Sequence, residues 1–334
     1  MRKKAKTAND GPTGEVIRFQ GVDVYVRATG AGPPVLLING LGTHTAMWEP
    51  MEASLDGFRI LQFDLPGSGQ SATPSTLMPI PELARLSTVV MDHYGVKRAH
   101  VIGYSMGGLV AQQLAHDAPE RVQRMVLLAS TAGRGSFRGS ILATINMLAP
   151  VRYLSPRIYD MTAGSLVGGR ARHDTAWVAD QGLLRRKHPP TWRGYLSQLR
   201  SILRWSGFPI LGEVSHEVLV LAGDDDPIIP VVNAMMLTHM LPNGRLLVIR
   251  GEGHMMMMDP DSRTHPAIRE FLSATDLDTT QIWQDASAVD ADELKSALAG
   301  AGVVLPWSVD ARIRRRWLRK NARPGTAHTV RAEA

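Results

Sequence analysis

The chain has 334 residues, of which 44% are hydrophobic, which suits a globular α/β domain that carries an insertion. Its lack of cysteine excludes a cysteine nucleophile and a thiolate metal site, and agrees with a reducing compartment. The net charge of +6 is uneven: residues 311–334 hold eight Arg and Lys against one acid, and the first ten residues hold four against one, leaving the body at −4. A mildly acidic body with basic ends is not the charge pattern of a nucleic-acid-binding domain.

The first fourteen residues form a basic lead with no apolar segment behind it, so a secretory signal is not expected and the default location is cytoplasmic. No run approaches the roughly 20 apolar residues that a membrane helix needs. EVIRFQ and VDVYVRA alternate as a hairpin with Gly21 near its turn. PVLLING is a short apolar run ending in glycine, as expected of a strand buried on both faces, and FRILQFD, AHVIGYS, QRMVLLAS, EVLVLAG and RLLVIRG repeat it. Helical spacing in PELARLSTVVMDHYG and GGLVAQQLAHDAPERV separates these runs. The alternation predicts an α/β fold with a mostly parallel, doubly wound sheet.

The pattern breaks between about Gly133 and Gly212, where SILATINMLA and WRGYLSQLRSIL read as helices and no buried strand is evident. A helical insertion over 133–212 is expected, with the core formed by 15–132 and 213–274. After Ala274 come an amphipathic stretch, ADELKSALAGAG, the basic segment DARIRRRWLRK and an end expected to be disordered.

Gly103-Tyr104-Ser105-Met106-Gly107 matches the G-x-S-x-G nucleophile elbow. Alone the pattern is weakly specific, but here it joins a predicted strand to a predicted helix. Such a turn exposes the serine hydroxyl and aims a helix N-terminus at it. A serine needs a base, and the base an orienting acid, which follow an elbow in the order acid, then histidine. LVLAGDDDPIIP offers three acids after a later strand; Asp226 is favoured because Gly223-Asp224-Asp225 lets the chain turn first. His254, after the last strand and behind Gly251 and Gly253, is the expected base, with His44 and His265 as weaker candidates. The oxyanion donors are expected to be the backbone N–H groups of Met106 and of Leu41, in the open loop Asn39-Gly40-Leu41-Gly42. Met255–Met258, with Met235, Met236 and Met240, read either as plain core or as an adaptable acyl pocket. No dinucleotide or Walker loop and no metal-ligand spacing appears, so neither a cofactor nor a metal is expected.

With these residues identified, residues 15–273 resemble the α/β-hydrolase superfamily. Within it, FDLPGSGQSATPST, AQQLAHDAPER, the segment around SPRIYD, and LAGDDDPIIPVVNAMML are similar to intracellular depolymerases of medium-chain-length polyhydroxyalkanoates. The resemblance implies Ser105 as nucleophile, Asp226 as acid and His254 as base, with 133–212 covering the site. Members of that family commonly carry Trp after the nucleophile, where Met106 stands here, and the basic extension lies outside the resemblance. The expected activity is hydrolysis of aliphatic or 3-hydroxyalkanoate esters, small or polymeric. The rival readings are a carbon–carbon bond hydrolase or cofactor-free perhydrolase using the same triad, and a non-catalytic acyl-lipid or partner-binding protein. The basic tail reads either as a solvated end or as a weak binder of anionic or amphiphilic surfaces.

Overall fold

The computed structural model describes residues 14–148 and 156–300; the basic lead and the basic tail lie outside them. Eight strands form one sheet in the order β1-β2-β4-β3-β5-β6-β7-β8. The first two, β1 (Glu15–Phe19) and β2 (Val22–Thr29), are the expected hairpin. Its two-residue turn, Gln20-Gly21, has positive φ at both positions, the geometry that matches strand twist. β3 (Pro34–Ile38), β4 (Arg59–Phe63), β5 (Ala99–Tyr104), β6 (Val122–Leu128), β7 (Val218–Gly223) and β8 (Gly244–Ile249) run parallel to one another, and β2 joins β4 antiparallel.

The apolar strands serve two cores because successive side chains point to opposite faces. Leu36, Ile38, Val101, Leu127 and Val220 enter one core, which α2 (Ile80–His93), α3 (Met106–Asp117) and α8 (Val231–Met240) help cover. Val35, Leu37, Ile102, Val126 and Leu221 enter the other, with Trp48, Met51 of α1 (Glu49–Ser54) and α9 (Thr264–Ser273). This explains why these strands read as continuous apolar runs rather than as alternating ones. From β3 the chain steps out to β4, then returns past β3 to β5. The reversal opens a crevice beyond the C-terminal ends of β3 and β5, where open α/β sheets bind ligands.

Between β6 and β7 lie α4 (Ile141–Leu148), α5 (Pro156–Val167), α6 (Thr175–Lys187) and α7 (Trp192–Arg204). The segment leaves and rejoins the core at a neck: Gly133 bridges Ser206, Trp205 O accepts from Arg134 N–H at 2.8 Å, and Gly207 N–H donates to Ala132 O at 2.9 Å. Past α9, α10 (Gln281–Asp285) and α11 (Ala291–Gly300) pack onto the folded body. Leu246 in the edge strand β8 exchanges both backbone hydrogen bonds with Ser287, at 2.8 and 2.9 Å, which covers part of an otherwise exposed edge. Leu277, Ile282, Trp283, Ala286 and Leu294 are buried, so residues 275–300 complete the cores. Among the described residues no helix is long and apolar enough to cross a membrane.

His100 in β5 and His44 after β3 are buried, and burial pushes both down to about 4 from 6.5. Between those values the unfolded chain binds protons that the native state refuses, so native stability falls as pH drops. From pH 6.5 toward 4, each histidine is expected to remove up to roughly 3 kcal/mol, at 1.36 kcal/mol per pKa unit. Urea midpoints measured from pH 7.5 to 4.5 check this, and His100→Leu should flatten part of the decline.

Candidate active site

Ser105 stands between the last residue of β5 and the first of α3, with φ 52° and ψ −115°, outside the ordinary allowed regions for a non-glycine residue. Its neighbours make the turn possible. A methyl group on Gly103 would come within 2.7 Å of Gly108 Cα, one on Gly107 would overlap Ile38 O, and one on Gly108 would overlap Ser130 Oγ. The turn is tied down by Ser105 N–H donating to Leu128 O at 2.9 Å and by Ser130 Oγ donating to Ser105 O at 2.8 Å.

The structure brings Ser105, Asp226 and His254 together. His254 Nε2 lies 3.2 Å from Ser105 Oγ, and its Nδ1 lies 2.7 Å from Asp226 Oδ2. With Nδ1 carrying the proton toward the carboxylate, Nε2 faces the hydroxyl as an acceptor. The other carboxylate oxygen of Asp226 accepts from Ile228 N–H and Ile229 N–H at 2.8 and 2.9 Å, which fixes its rotamer. Asp226 and His254 are buried, and the Tyr104 ring lies 5.3 Å from the imidazole. The two neighbouring acids turn elsewhere. Asp224 accepts from Gly251 N–H at 2.6 Å, and Asp225 binds Arg172 and accepts from Gly169 N–H at 2.8 Å. The Arg172 guanidinium holds the Asp225 carboxyl below its usual range.

The inserted segment reaches these loops directly. His254 N–H donates to Val167 O at 2.7 Å, at the end of α5. Gly168 and Gly169 both have positive φ, and a methyl on Gly169 would overlap Gly253 N. The backbone that carries the histidine therefore packs against the backbone of the insertion without a side chain between them.

The loop after β3 is anchored from below. Asn39 donates to Phe63 O and accepts from Trp48 Nε1, both at 2.8 Å. Gly40 lies so close over the elbow that a Cβ would meet the Tyr104 ring at 2.9 Å and Ser105 Cβ at 3.3 Å. Gly42 N–H donates at 2.9 Å to Oε1 of Gln198, a buried residue of α7. Gln198 Nε2 donates in turn to Pro66 O at 3.0 Å and Ser68 Oγ at 3.2 Å. Leu41 and Met106 both line the cavity with Ser105 and His254. Met106 begins α3, so its N–H is among those with no acceptor inside the helix.

That cavity measures about 430 Å³, and its walls are mainly apolar, with contributions from β5, α3, α4, α5, α7 and the loop after Asp226. Arg185 is its buried cation, stacked 5.8 Å over the Tyr159 ring. The methionine groups do not line it: Met255–Met258 are buried in one core, Met236 and Met240 in the other, and Met235 packs against the latter. Met106 and Met147 do line it. The weaker histidine candidates are engaged elsewhere: His44 Nε2 lies 3.1 Å from Leu184 O, and His265 Nε2 lies 3.1 Å from Met257 O. Among the described residues no three His, Asp or Glu are grouped to hold a metal.

Residues 33–261 match the family model described as alpha/beta hydrolase fold. The chain belongs to the α/β-hydrolase family. It is 35% identical over 240 residues to a poly(3-hydroxyalkanoate) depolymerase of Ectopseudomonas oleovorans, covering 72% of this chain and 84% of that one. A pimeloyl-[acyl-carrier protein] methyl ester esterase of Nitrosomonas europaea is 31% identical over 243 residues, covering 69% of this chain and 92% of the relative. Among solved structures, an esterase from Exiguobacterium antarcticum shares the fold with a TM-score of 0.68 at 19% identity, over 78% of this chain and all of that one.

The contributions of Gln198, Asn39, Trp48 and the Gly168–Gly169 pair to this hydrolase are not evident from sequence, because each depends on a contact that only the folded chain creates. Gly169→Ala should displace the His254 loop and destabilise the protein by about 1–3 kcal/mol, as expected for a strained positive-φ site. Denaturant unfolding measures the loss, and an unchanged midpoint would contradict the packing described.

Proposed function

We propose that this α/β hydrolase cleaves carboxylic esters through an acyl-enzyme on Ser105, with aliphatic or 3-hydroxyalkanoate esters as substrates. The observation that carries the reading is the unbroken hydrogen-bonded line from Asp226 through His254 to Ser105 Oγ, opening into an apolar cavity. His254 Nε2 takes the hydroxyl proton as Oγ attacks the ester carbonyl, and Asp226 stabilises the imidazolium that forms. The N–H groups of Leu41 and Met106 receive the oxyanion, helped by the N-terminus of α3. His254 then protonates the leaving alcohol. Water, deprotonated by the same imidazole, attacks the acyl carbonyl and frees the acid and Ser105.

Three features support the substrate class. The apolar cavity suits an acyl chain of several carbons. Arg185 inside it favours a chain that also carries an oxygen, as a hydroxyl or second ester does. The depolymerase relative, at 35% identity, points the same way. In this reading α4–α7 form a cap whose inner surface gives the acyl site its shape.

Esters of graded chain length, tested alongside oligomers of 3-hydroxyoctanoate, examine the proposal. Octanoate esters should be turned over faster than acetates, and a sharp preference for acetates would remove the hydroxyalkanoate assignment. Ser105→Ala should lower kcat by about 10⁴-fold or more and abolish labelling by a fluorophosphonate. Labelling of that variant equal to the parent would sink the serine mechanism, and failure on all esters with cleavage of a carbon–carbon substrate would redirect the reaction.

Gln198 is proposed as a positioning residue for the oxyanion loop. Gln198→Leu should lower kcat by about 10–100-fold, the scale of an impaired oxyanion donor, with little change in KM. Steady-state kinetics on p-nitrophenyl octanoate separate the two constants, and a rise in KM alone would assign Gln198 to substrate binding instead.

A further inference from the structure

The charge of the body is itself divided. Residues 133–212 hold twelve Arg and Lys against three acids, so the inserted segment is strongly basic on a correspondingly more acidic core. Some of these cations are engaged with the core: Arg170 pairs with Asp174, Asp259 and Asp261, and Arg172 with Asp225. Arg134, Arg138, Arg157, Arg193, Arg200 and Arg204 are exposed. The exposed acids of the segment are Asp160 and Asp180.

The same segment carries eight of the nine exposed large apolar side chains found among the described residues. In α4, Ala143, Thr144 and Met147 line the cavity, whereas Ile141, Leu142 and Ile145 are exposed, Ile141 at 79%. The helix is thus apolar on both faces. In α5, which packs against α4, Ile158 and Met161 are exposed, Met161 at 85%. Arg134, Arg138 and Leu203 are exposed and also line the cavity, which places them at its mouth. At the entrance itself Arg134 and Arg138 stand with the exposed Leu203, and the rest of the segment's surface repeats that mixture of cations and exposed apolar side chains.

We propose that the insertion docks onto an anionic lipid surface through its exposed apolar and cationic side chains, those at the cavity mouth included. Charge decides among the possible occupants. A second copy meeting through the same face would set like charges against each other, and the chain's own tail, with its eight basic residues after position 311, is repelled for the same reason. A nucleic acid matches the charge but leaves Ile141, Ile145, Ile158 and Met161 in water. An anionic lipid layer satisfies both chemistries, taking the aliphatic side chains at the acyl boundary and the guanidinium groups at the headgroups. Docking adds a surface to the proposed ester chemistry and does not depend on it.

Co-sedimentation of the full chain with vesicles provides the test, using phosphatidylglycerol mixed equally with phosphatidylcholine against phosphatidylcholine alone. The mixed vesicles should bind the protein at least tenfold more tightly, and raised salt should weaken that binding. The pairs Ile141→Ser with Ile145→Ser, and Arg157→Glu with Arg204→Glu, should each lower affinity for mixed vesicles at least tenfold. Thermal melting and hydrolysis of a soluble short ester should stay at parental values, showing that the fold and cavity are intact. Equal binding by the variants and the parent would assign any lipid affinity to the basic tail and overturn the proposal. Equal affinity for the two vesicle types would overturn it too, as would a dimer seen by light scattering that the isoleucine substitutions dissociate.

Discussion

The left-handed backbone at Ser105 is the constraint around which the rest of the site is arranged. A serine at φ 52° is unfavourable in isolation, and it persists here because its surroundings leave no other course for the chain. β5 delivers it from the middle of the sheet, α3 leaves at once, and glycines at 103, 107 and 108 remove every side chain that would block the turn. The same lack of bulk lets Gly40 lie over the elbow, so that loops from two neighbouring strands converge on one hydroxyl. Strand order supplies the remainder, since β3 and β5 are adjacent although β4 separates them along the chain.

The inserted segment is tied to the core at several places along its length. Besides the neck, the residues leading into and within α7 grip the loop after β4: Thr191 N–H donates to Gly67 O at 3.1 Å, Gln198 to Pro66 O, and Ser201 Oγ to Met78 O at 2.7 Å. The end of α5 grips the loops bearing Asp225 and His254. Between these attachments α4 lies over the cavity, tied to α7 by Tyr195 Oη donating to Met147 O at 2.8 Å. Polar contacts thus fix the parts of the insertion that touch the loops bearing Asp225 and His254, while apolar side chains dominate the cavity wall.

Much of this was legible in the sequence. Strands β3 to β7 announced themselves because a strand covered on both faces is mostly apolar, whereas β8, expected to be the same, is an edge strand half-buried at Arg245, Leu247 and Val248; alternation on either side of Gln20-Gly21 marked the hairpin. Ser105, Asp226 and His254 could be chosen because each follows a strand, so chain order translates into position. Helices α5 and α6 went unread: their apolar residues face a small layer and a cavity, which leaves a weak stripe. The packing of residues 277–294 into both cores was hidden for a different reason, since a few scattered Leu, Ile and Trp residues suffice to cover a sheet edge. Charge misled through averaging. The body's modest total concealed a basic insertion set on an acidic core.

Gln198 gives the architecture a consequence for how such a protein can diversify. Because both ends of the insertion enter at one neck, a recombination event could exchange the whole segment without disturbing strand register. Yet the exchanged piece would bring its own residue to the place where Gly42 now finds its acceptor. With Gln198 in the positioning role proposed above, substrate range and turnover rate would not be separately heritable traits in this chain. On that proposal a new segment would have to arrive with a suitable partner for the loop beneath it, or the recipient would gain a different pocket and lose speed.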